Sequence, residues 1–169
     1  MEELRLPWNN RDGILYGGVI AIITATIMCE FNLCRTMGGM TVETFMNGLA
    51  TVPLLVVIVM LLMTFIVGRV ADMFVHRFTM PGDSFYTKIV FNIIACVLMM
   101  SMIMTVVGPT VGHLMEGVLT AEPIFDWPVN SPVNFCVAFW VEMLVAQPAA
   151  RYVMKRRHIR VLKSAEASA

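Results

Sequence analysis

The sequence predicts an all-α, polytopic membrane protein with four transmembrane helices arranged as two tandem helical hairpins. Of its 169 residues, 58% are hydrophobic and 14% are charged, whereas a soluble domain usually carries about a quarter charged residues. The apolar residues lie in long segments that lack the alternating pattern of transmembrane β-strands. Since only helices and closed barrels satisfy their backbone in lipid, these segments are predicted to be α-helices.

Four apolar segments reach or approach the roughly 20 residues that a helix needs to cross a bilayer. They are Ile14–Phe31, Leu49–Val67, Ile89–Val107 and Pro132–Val153. Glu30 is the only formal charge in the first three. The fourth is more polar, because it contains Glu142, Gln147 and Arg151.

Prolines predict several helix boundaries. Pro53 is expected in the first turns of the second helix, and Ser131 and Pro132 are expected to be the N-cap and first residue of the fourth. Pro109 is expected to stop the third helix. Pro148 is expected to kink the fourth helix one turn earlier, where the backbone loses a donor.

These boundaries divide the chain into four parts. They are an inner interfacial N-terminus (1–13), a first two-helix unit (14–78), a second two-helix unit (86–154) and a cytoplasmic tail, first basic and then polar (155–169). Trp8 is expected to anchor the N-terminus at the interface. The run Thr110–Thr120 is a candidate amphipathic helix on the outer surface, and the tail is expected to be disordered after Arg160.

The distribution of Lys and Arg predicts that both termini are cytoplasmic. With four crossings, the N-terminus, the middle loop and the tail lie on one side, and they hold all 12 basic residues except Arg35. Basic loops remain cytoplasmic, so the expected localisation is the cell inner membrane, multi-pass. The basic tail Lys155–Lys163 is also expected to contact anionic lipid.

A secretory signal peptide is the alternative interpretation of the first apolar segment. Glu2, Glu3 and Asp12 make the residues before it acidic, although such a region is normally basic. No cleavage site with small residues precedes Arg35. A membrane-spanning helix is therefore the favoured interpretation.

The two halves of the chain are similar, which predicts an internal repeat. Val19–Met28 (VIAIITATIM) aligns with Ile93–Met102 (IIACVLMMSM) at an offset of 74 residues. The ends of the second and fourth helices, Gly68–Ala71 and Ala150–Val153, align at an offset of 82. Because each unit crosses the membrane twice, both units would have the same orientation, related by an axis along the membrane normal.

The second unit carries motifs that resemble a known family. The motifs are Asn134-Phe135-Cys136-Val137-Ala138 and Val145-Ala146-Gln147-Pro148-Ala149-Ala150-Arg151, preceded by Trp127. They resemble the small bacterial membrane proteins grouped as domain of unknown function 2798, whose two-helix unit often occurs twice per chain. The first unit departs from this pattern, since Ile66 and Gly68 stand where a proline is expected and only Arg69 matches. The resemblance implies the tandem architecture and no activity.

Glu142 is the first candidate functional residue, because ionisable groups inside a bilayer are costly. It is expected near the midplane, on a face of mostly small residues that points into protein. The other members of this face are Ser131, Phe135, Ala138, Ala146 and Ala149. Burial favours the protonated carboxyl group, so Glu142 is expected to exchange a proton during transport. The alternative is a Glu142 that only holds two helices together.

Glu30, Asn134 and Asn92 complete the set of candidate proton- or substrate-binding residues. Glu30 is predicted roughly 9 Å above the midplane by helical rise, where it would reach outer water or pair with Arg35. Its alternative role is that of a solvated carboxylate at the interface. The alternative role of the two asparagines is an interhelical hydrogen bond.

The sequence predicts neither an enzyme nor a metal- or cofactor-dependent protein. The 16 methionines suit Cu(I), but methionine is also a common filler of apolar interiors. His76, His113 and His158 are expected outside the helices, so no nucleophile–base pair can be assembled in the membrane. The basic tail lacks any nucleic-acid recognition fold, so no nucleic acid is expected as a partner.

These observations favour a small proton-coupled transporter or permeation protein of unidentified substrate. Glu142 would carry the proton or cation, Glu30 would lie near the outer mouth, Asn134 would orient a substrate and Pro148 would supply a flexible point. The expected partners are the lipid bilayer, a small solute or proton, and further copies of the chain. The alternative is a membrane accessory or scaffold protein without transport.

Overall fold

The described part of the chain folds into five helices, four of which are long and apolar enough to cross a membrane. The computed structural model describes residues 6–80, 82–115, 117 and 121–167, and no strand occurs in these ranges. The helices are α1 (Asn10–Met37), α2 (Val42–Phe78), α3 (Phe85–Met115), a short α4 (Glu122–Phe125) and α5, which begins at Trp127 and continues to Ala167. The predicted all-α, four-helix membrane fold is confirmed.

The four long helices form a bundle in which each packs against two others. Helix α1 contacts α2, and α3 contacts α5, as two consecutive hairpins require. The ring is closed by contacts of α5 with α1 and of α2 with α3. We call the end that carries the N-terminus and the end of α5 the inner end, and the end that carries the α1–α2 connection the outer end.

The helices extend beyond the apolar segments, which makes several predicted boundaries wrong. Helix α2 contains Pro53 well inside it, because the chain is already helical from Val42 and is capped by Thr41. Ser131 and Pro132 lie inside α5 and do not begin it. Pro109 lies within α3 and does not stop it. Prolines are tolerated in membrane helices where neighbouring helices, hydroxyl side chains and local adjustments satisfy the freed backbone groups.

The same extension places all three histidines in helices, contrary to the prediction. His76 is near the end of α2, His113 is near the end of α3, and His158 belongs to α5. Residues 161–167 of the tail continue α5, contrary to the prediction of disorder after Arg160, because the Lys, Leu, Ala and Glu residues there favour helix. In the outer run after Pro109, residues 110–115 end α3, and most of the remainder lies outside the described residues.

Asp12 holds the inner end of α5 against α1. Its buried carboxylate lies 3.2 Å from Arg157 Nη2 and 3.1 Å from His158 Nε2, and it accepts the backbone N–H of Trp8 at 3.4 Å. The Trp8 indole stacks on the imidazole of His158, with ring centres 3.9 Å apart. These contacts connect the residues before α1 to the extension of α5.

Each returning helix, α2 and α5, is interrupted by one π turn. The π turn of α5 comprises Glu142–Ala146, directly before Gln147 and Pro148. Because Pro148 has no N–H, the α-helical pattern cannot continue unbroken there. The N–H of Gln147 donates to the carbonyl of Glu142, five residues earlier. The predicted disturbance at Pro148 takes the form of this wider turn.

The π turn of α2 comprises Met63–Val67 and is followed by Gly68, at the place that Gln147 takes after the π turn of α5. The N–H of Gly68 donates to the Met63 carbonyl. A Cβ atom at Gly68 would lie 2.7 Å from that carbonyl oxygen, which is too close for an unstrained contact. A side chain at Gly68 would therefore require this turn to shift.

Gly68→Ala is expected to lower the free energy of unfolding by about 1–3 kcal/mol, the usual cost of overpacking. The matched control is Gly108→Ala in α3, where an added Cβ meets no atom within 4 Å. This control should be neutral or slightly stabilising, because alanine favours helix. Thermal unfolding in detergent micelles, followed by circular dichroism, measures both. Equal stability of the two variants would contradict the role given to Gly68.

Candidate functional site

Two cavities lined in part by polar side chains open from opposite ends of the bundle. The outer cavity, of about 160 Å³, is lined mainly by Asn32, Arg35, Thr105, Asn130 and Asn134. The inner cavity, of about 340 Å³, has among its lining residues Tyr16, Asp72, Lys88, Asn92, Gln147 and Arg151. Polar side chains supplied by α1, α3 and α5 are thus concentrated at two levels of the bundle.

Glu142 lies between these two levels and points into the bundle. It is buried, with a residual exposure of 9%. The hydroxyl of Thr24 on α1 donates to Glu142 Oε2 at 3.2 Å, and the amide Nε2 of Gln147 donates to Oε1 at 3.1 Å. The predicted inward orientation of Glu142 is confirmed.

The small-residue face that was predicted around Glu142 is present. Ser131, Ala138 and Ala146 are buried, and Phe135 and Ala149 are half-buried. A carboxyl group on this face is flanked along α5, before and after it, by small residues at which helices pack closely. The environment of Glu142 is therefore protein and not lipid.

A chain of hydrogen bonds continues from Glu142 towards the inner cavity. The Tyr16 hydroxyl donates to Oε1 of the Gln147 side chain, and the Arg151 guanidinium lies close to the same hydroxyl. We call Thr24, Glu142, Gln147, Tyr16 and Arg151 the polar chain. It joins α1 to α5 and ends in the inner cavity.

Sequence reasoning missed the polar chain because of the π turn. Glu142 and Gln147 are five residues apart, and only residues three or four apart face each other on an α-helix. The extra residue in the π turn brings the two side chains onto one side. Tyr16 carried no signal of its own, since one tyrosine in an apolar helix is commonly a packing residue. The available clue was Pro148, which forces the local change in helix geometry.

An apolar cluster packs between α3 and α5 beside Glu142. It consists of the buried residues Ile93, Val97 and Ala138, with Met28 and Phe135 packed against it. Ile93 also lines the inner cavity, whereas Ala138 lies midway along α5 between Glu142 and Asn134, which lines the outer cavity. The polar chain therefore reaches the inner cavity, and along α5 Ala138 lies between Glu142 and the outer cavity.

Asn134 and Asn92, both predicted candidates, lie in different cavities. The amide of Asn134 is buried in the outer cavity, where Nδ2 donates to Thr105 Oγ1 at 3.0 Å. Its Oδ1 has no hydrogen-bond partner among the described residues. Asn92 is half-buried in the inner cavity, and its Oδ1 lies 3.7 Å from the thiol of Cys96.

Glu30 lies apart from the other candidates, and neither predicted environment is correct. It is buried against Gly48 of α2, where a Cβ atom would lie 2.8 Å from Glu30 Cδ. Neither carboxyl oxygen has a hydrogen-bond partner among residues that the structure describes. Arg35 does not pair with it, because its Nη2 donates to Asn130 Oδ1 at 2.9 Å. Glu30 lines neither cavity.

Metal ligands and known relatives add no further assignment. Within the described ranges, no group of three or more His, Cys, Asp and Glu side chains is placed to hold a metal ion. Comparisons with family models, curated proteins and solved structures found no match. The function of the protein therefore has to be inferred from the geometry of the polar chain and the two cavities.

The two buried glutamates are expected to respond oppositely to substitution by methionine. Glu30→Met removes two unpartnered buried oxygens and should raise the free energy of unfolding by roughly 1–3 kcal/mol. Glu142→Met should lower it by a similar amount, because the donors on Thr24 and Gln147 lose their acceptor. Thermal unfolding of both variants in the same detergent checks this. Destabilisation by Glu30→Met would show that Glu30 has a partner within the bundle.

Proposed function

We propose that this protein is a small proton-coupled transporter of the cell inner membrane, with Glu142 as its proton-binding residue. The observation that carries the proposal is the position of one buried, hydrogen-bonded carboxyl group between two polar cavities on opposite sides. Intramembrane carboxyl groups that face the bundle interior are typical of proton and ion pathways. A purely structural glutamate gives no reason for two cavities at opposite ends.

Helices α1 and α5 both support a position of Glu142 between the two cavities. On α5, Asn134 lines the outer cavity and Gln147 the inner one, with Glu142 between them. On α1, Thr24 contacts Glu142 and lies between Tyr16 and Asn32, roughly 12 Å along the helix from each at 1.5 Å per residue. On α5 the carboxyl group is nearer the inner cavity, because Gln147 is hydrogen-bonded to it.

The arrangement corresponds to a state with access from the inner side. Gln147 lines the inner cavity and is hydrogen-bonded to Glu142, so rotation of this one side chain would bring the carboxyl group into contact with the cavity. On the outer side, Ala138 lies along α5 between Glu142 and Asn134 of the outer cavity, and it is packed in a cluster with Val97 of α3. A transport cycle requires this contact to open as the inner route closes.

The tandem repeat belongs to the same proposal. The two π turns begin at Met63 and Glu142, which are 79 residues apart. Val67, the last residue of the first turn, corresponds to Ala146 in the second at the same spacing, and Ala71 corresponds to Ala150. All four side chains are fully buried. Parallel repeats of this kind, related about an axis along the membrane normal, occur in transporters. In this proposal the second unit carries the proton site and the first retains Met63 in its place.

Proton flux is the direct test of the proposal. The purified protein is reconstituted into liposomes with a trapped pH-sensitive dye. Candidate solutes are added outside, with and without an imposed membrane potential, because a coupled movement that carries no net charge does not respond to the potential. We expect wild-type liposomes to acidify and Glu142→Gln liposomes to behave as empty ones, because the amide cannot bind or release a proton. Glu43→Gln, at an exposed carboxyl group in the first turn of α2, is the matched control and should retain the flux.

Two outcomes would contradict the proposal. One is equal flux through wild type and Glu142→Gln, which would place the path elsewhere. The other is the absence of flux from correctly inserted wild type with any solute tested. The second result would favour an accessory or scaffold protein in which the polar chain only joins α1 to α5.

The predicted orientation has its own test. A green fluorescent protein fused to the C-terminus should fluoresce in cells, because the basic end of α5 keeps it in the cytoplasm. An alkaline phosphatase fused at the same position should be inactive, and one inserted after Gly39, in the α1–α2 connection, should be active. The reverse pattern would contradict the inner location of the termini.

A further inference from the structure

We propose that the inner cavity binds a small carboxylate anion on Arg151 and Lys88, and that this anion is the solute that crosses with the proton of Glu142. This inference rests on the proposed function for its second half. Its first half, the anion site, concerns binding alone and can be tested without any transport.

The charges that line both cavities favour an anion. Among the described residues that line the inner cavity, Arg151 and Lys88 accompany a single carboxylate, the exposed Asp72, and His76 lies with them. Arg35 is the only charged residue among those that line the outer cavity. A cation would meet net repulsion at either end, whereas an anion would be attracted at both.

Arg151 and Lys88 have no charge partner among the residues that the structure describes. Neither forms a salt bridge with a carboxylate in the described ranges, where Asp12 with Arg157 and His158 accounts for the ion pairs found. The Nε–H of Arg151 is buried and has no acceptor. Holding a half-buried guanidinium without a counter-charge is unfavourable. A planar carboxylate matches the forked donor geometry of arginine and would supply that charge.

Neutral donors and the cavity size restrict the ligand further. The Tyr16 hydroxyl and the amides of Asn92 and Gln147 line the same cavity and supply hydrogen-bonding groups without adding charge. The volume of about 340 Å³ is at the small end of the roughly 300–1,000 Å³ range of ligand pockets. These features fit a carboxylate of a few carbon atoms with an additional hydroxyl or carbonyl group.

The polar chain couples such an anion to Glu142. Arg151 lies close to the Tyr16 hydroxyl, Tyr16 donates to Gln147, and Gln147 donates to Glu142. An anion on Arg151 places a second negative charge near Glu142 and favours its protonated form. One anion and one proton then occupy the site together. Their combined charge is zero, so neither has to cross the apolar interior of the bundle as an isolated ion.

Binding is measured first, with lactate as the probe. The full chain in phosphatidylcholine nanodiscs is titrated calorimetrically with lactate and, separately, with ethanolamine as a cation of similar size. We expect lactate to bind and ethanolamine not to bind. Arg151→Gln should weaken lactate binding by roughly 10- to 100-fold, the effect of losing a charge-assisted hydrogen bond. Arg69→Gln, at an exposed arginine of α2, is the matched control and should bind as wild type does.

Lys88→Gln and Arg151→Lys keep the test informative where Arg151→Gln does not fold. Lys88→Gln should weaken lactate binding, and Arg151→Lys should retain part of it, because the charge remains and the fork is lost. Absence of lactate binding to folded wild type, or binding unchanged in both Arg151→Gln and Lys88→Gln, would overturn the anion site. Loss of lactate binding when phosphatidylglycerol replaces part of the lipid would assign the cavity to a lipid headgroup and also overturn it.

Transport is measured second, so that the two proposals fail separately. A lactate gradient across wild-type liposomes should drive proton entry, and Arg151→Gln and Glu142→Gln should both abolish it relative to empty liposomes. Lactate binding without gradient-driven proton entry would leave the anion site in place and overturn co-transport. Proton flux that depends on Glu142 but not on lactate would leave the proposed function in place and overturn the anion as the solute.

Discussion

A carboxyl group inside an apolar bundle has to keep its oxygens hydrogen-bonded, and in this protein that requirement connects α1 to α5 at Glu142. Both acceptors are satisfied, one by Thr24 across the helix interface and the other by Gln147 on the same helix. The second bond exists only because α5 has a π turn there, and the turn precedes Pro148. A residue that breaks the regular helix thus allows a buried acid to be accommodated.

Glu30 shows that burial alone does not make such a site. It is as buried as Glu142, yet it has no donor within reach among the described residues and lies beside Gly48 at the α1–α2 contact. An unpartnered buried carboxyl group is unfavourable, and its neutral form is the one that such surroundings tolerate. The difference between the two acids is the set of neighbouring donors, and that set also decides which of them communicates with a cavity.

The sequence was sufficient for the fold because lipid leaves few alternatives for a long apolar segment. It also predicted that Glu142 faces protein, since small residues recur on its side of α5. It failed at the helix ends, where Pro53, Pro109 and Pro132 were assigned as boundaries and proved internal, because helices in a bundle continue past a proline when their packing holds them. The partners Tyr16 and Gln147 were beyond prediction, since their positions depend on interhelical packing and on a π turn that shifts the helical register.

In the proposed transport cycle the contact between α3 and α5 at Ala138 has to open, whereas the polar chain stays intact. In the described state Glu142 is linked to the inner cavity, whereas Ala138, which packs against Val97 of α3, lies along α5 between Glu142 and the outer cavity. Outer access requires α3 and α5 to separate at this contact while α1 and α5 stay joined through Thr24. Helix α5 is suited to such a movement, because the π turn lies immediately on the inner side of Ala138 and already lacks the regular hydrogen-bond pattern of an α-helix. A bend there would move the segment around Asn134 relative to α3 and leave the contact of Asp12 with the inner end of α5 undisturbed.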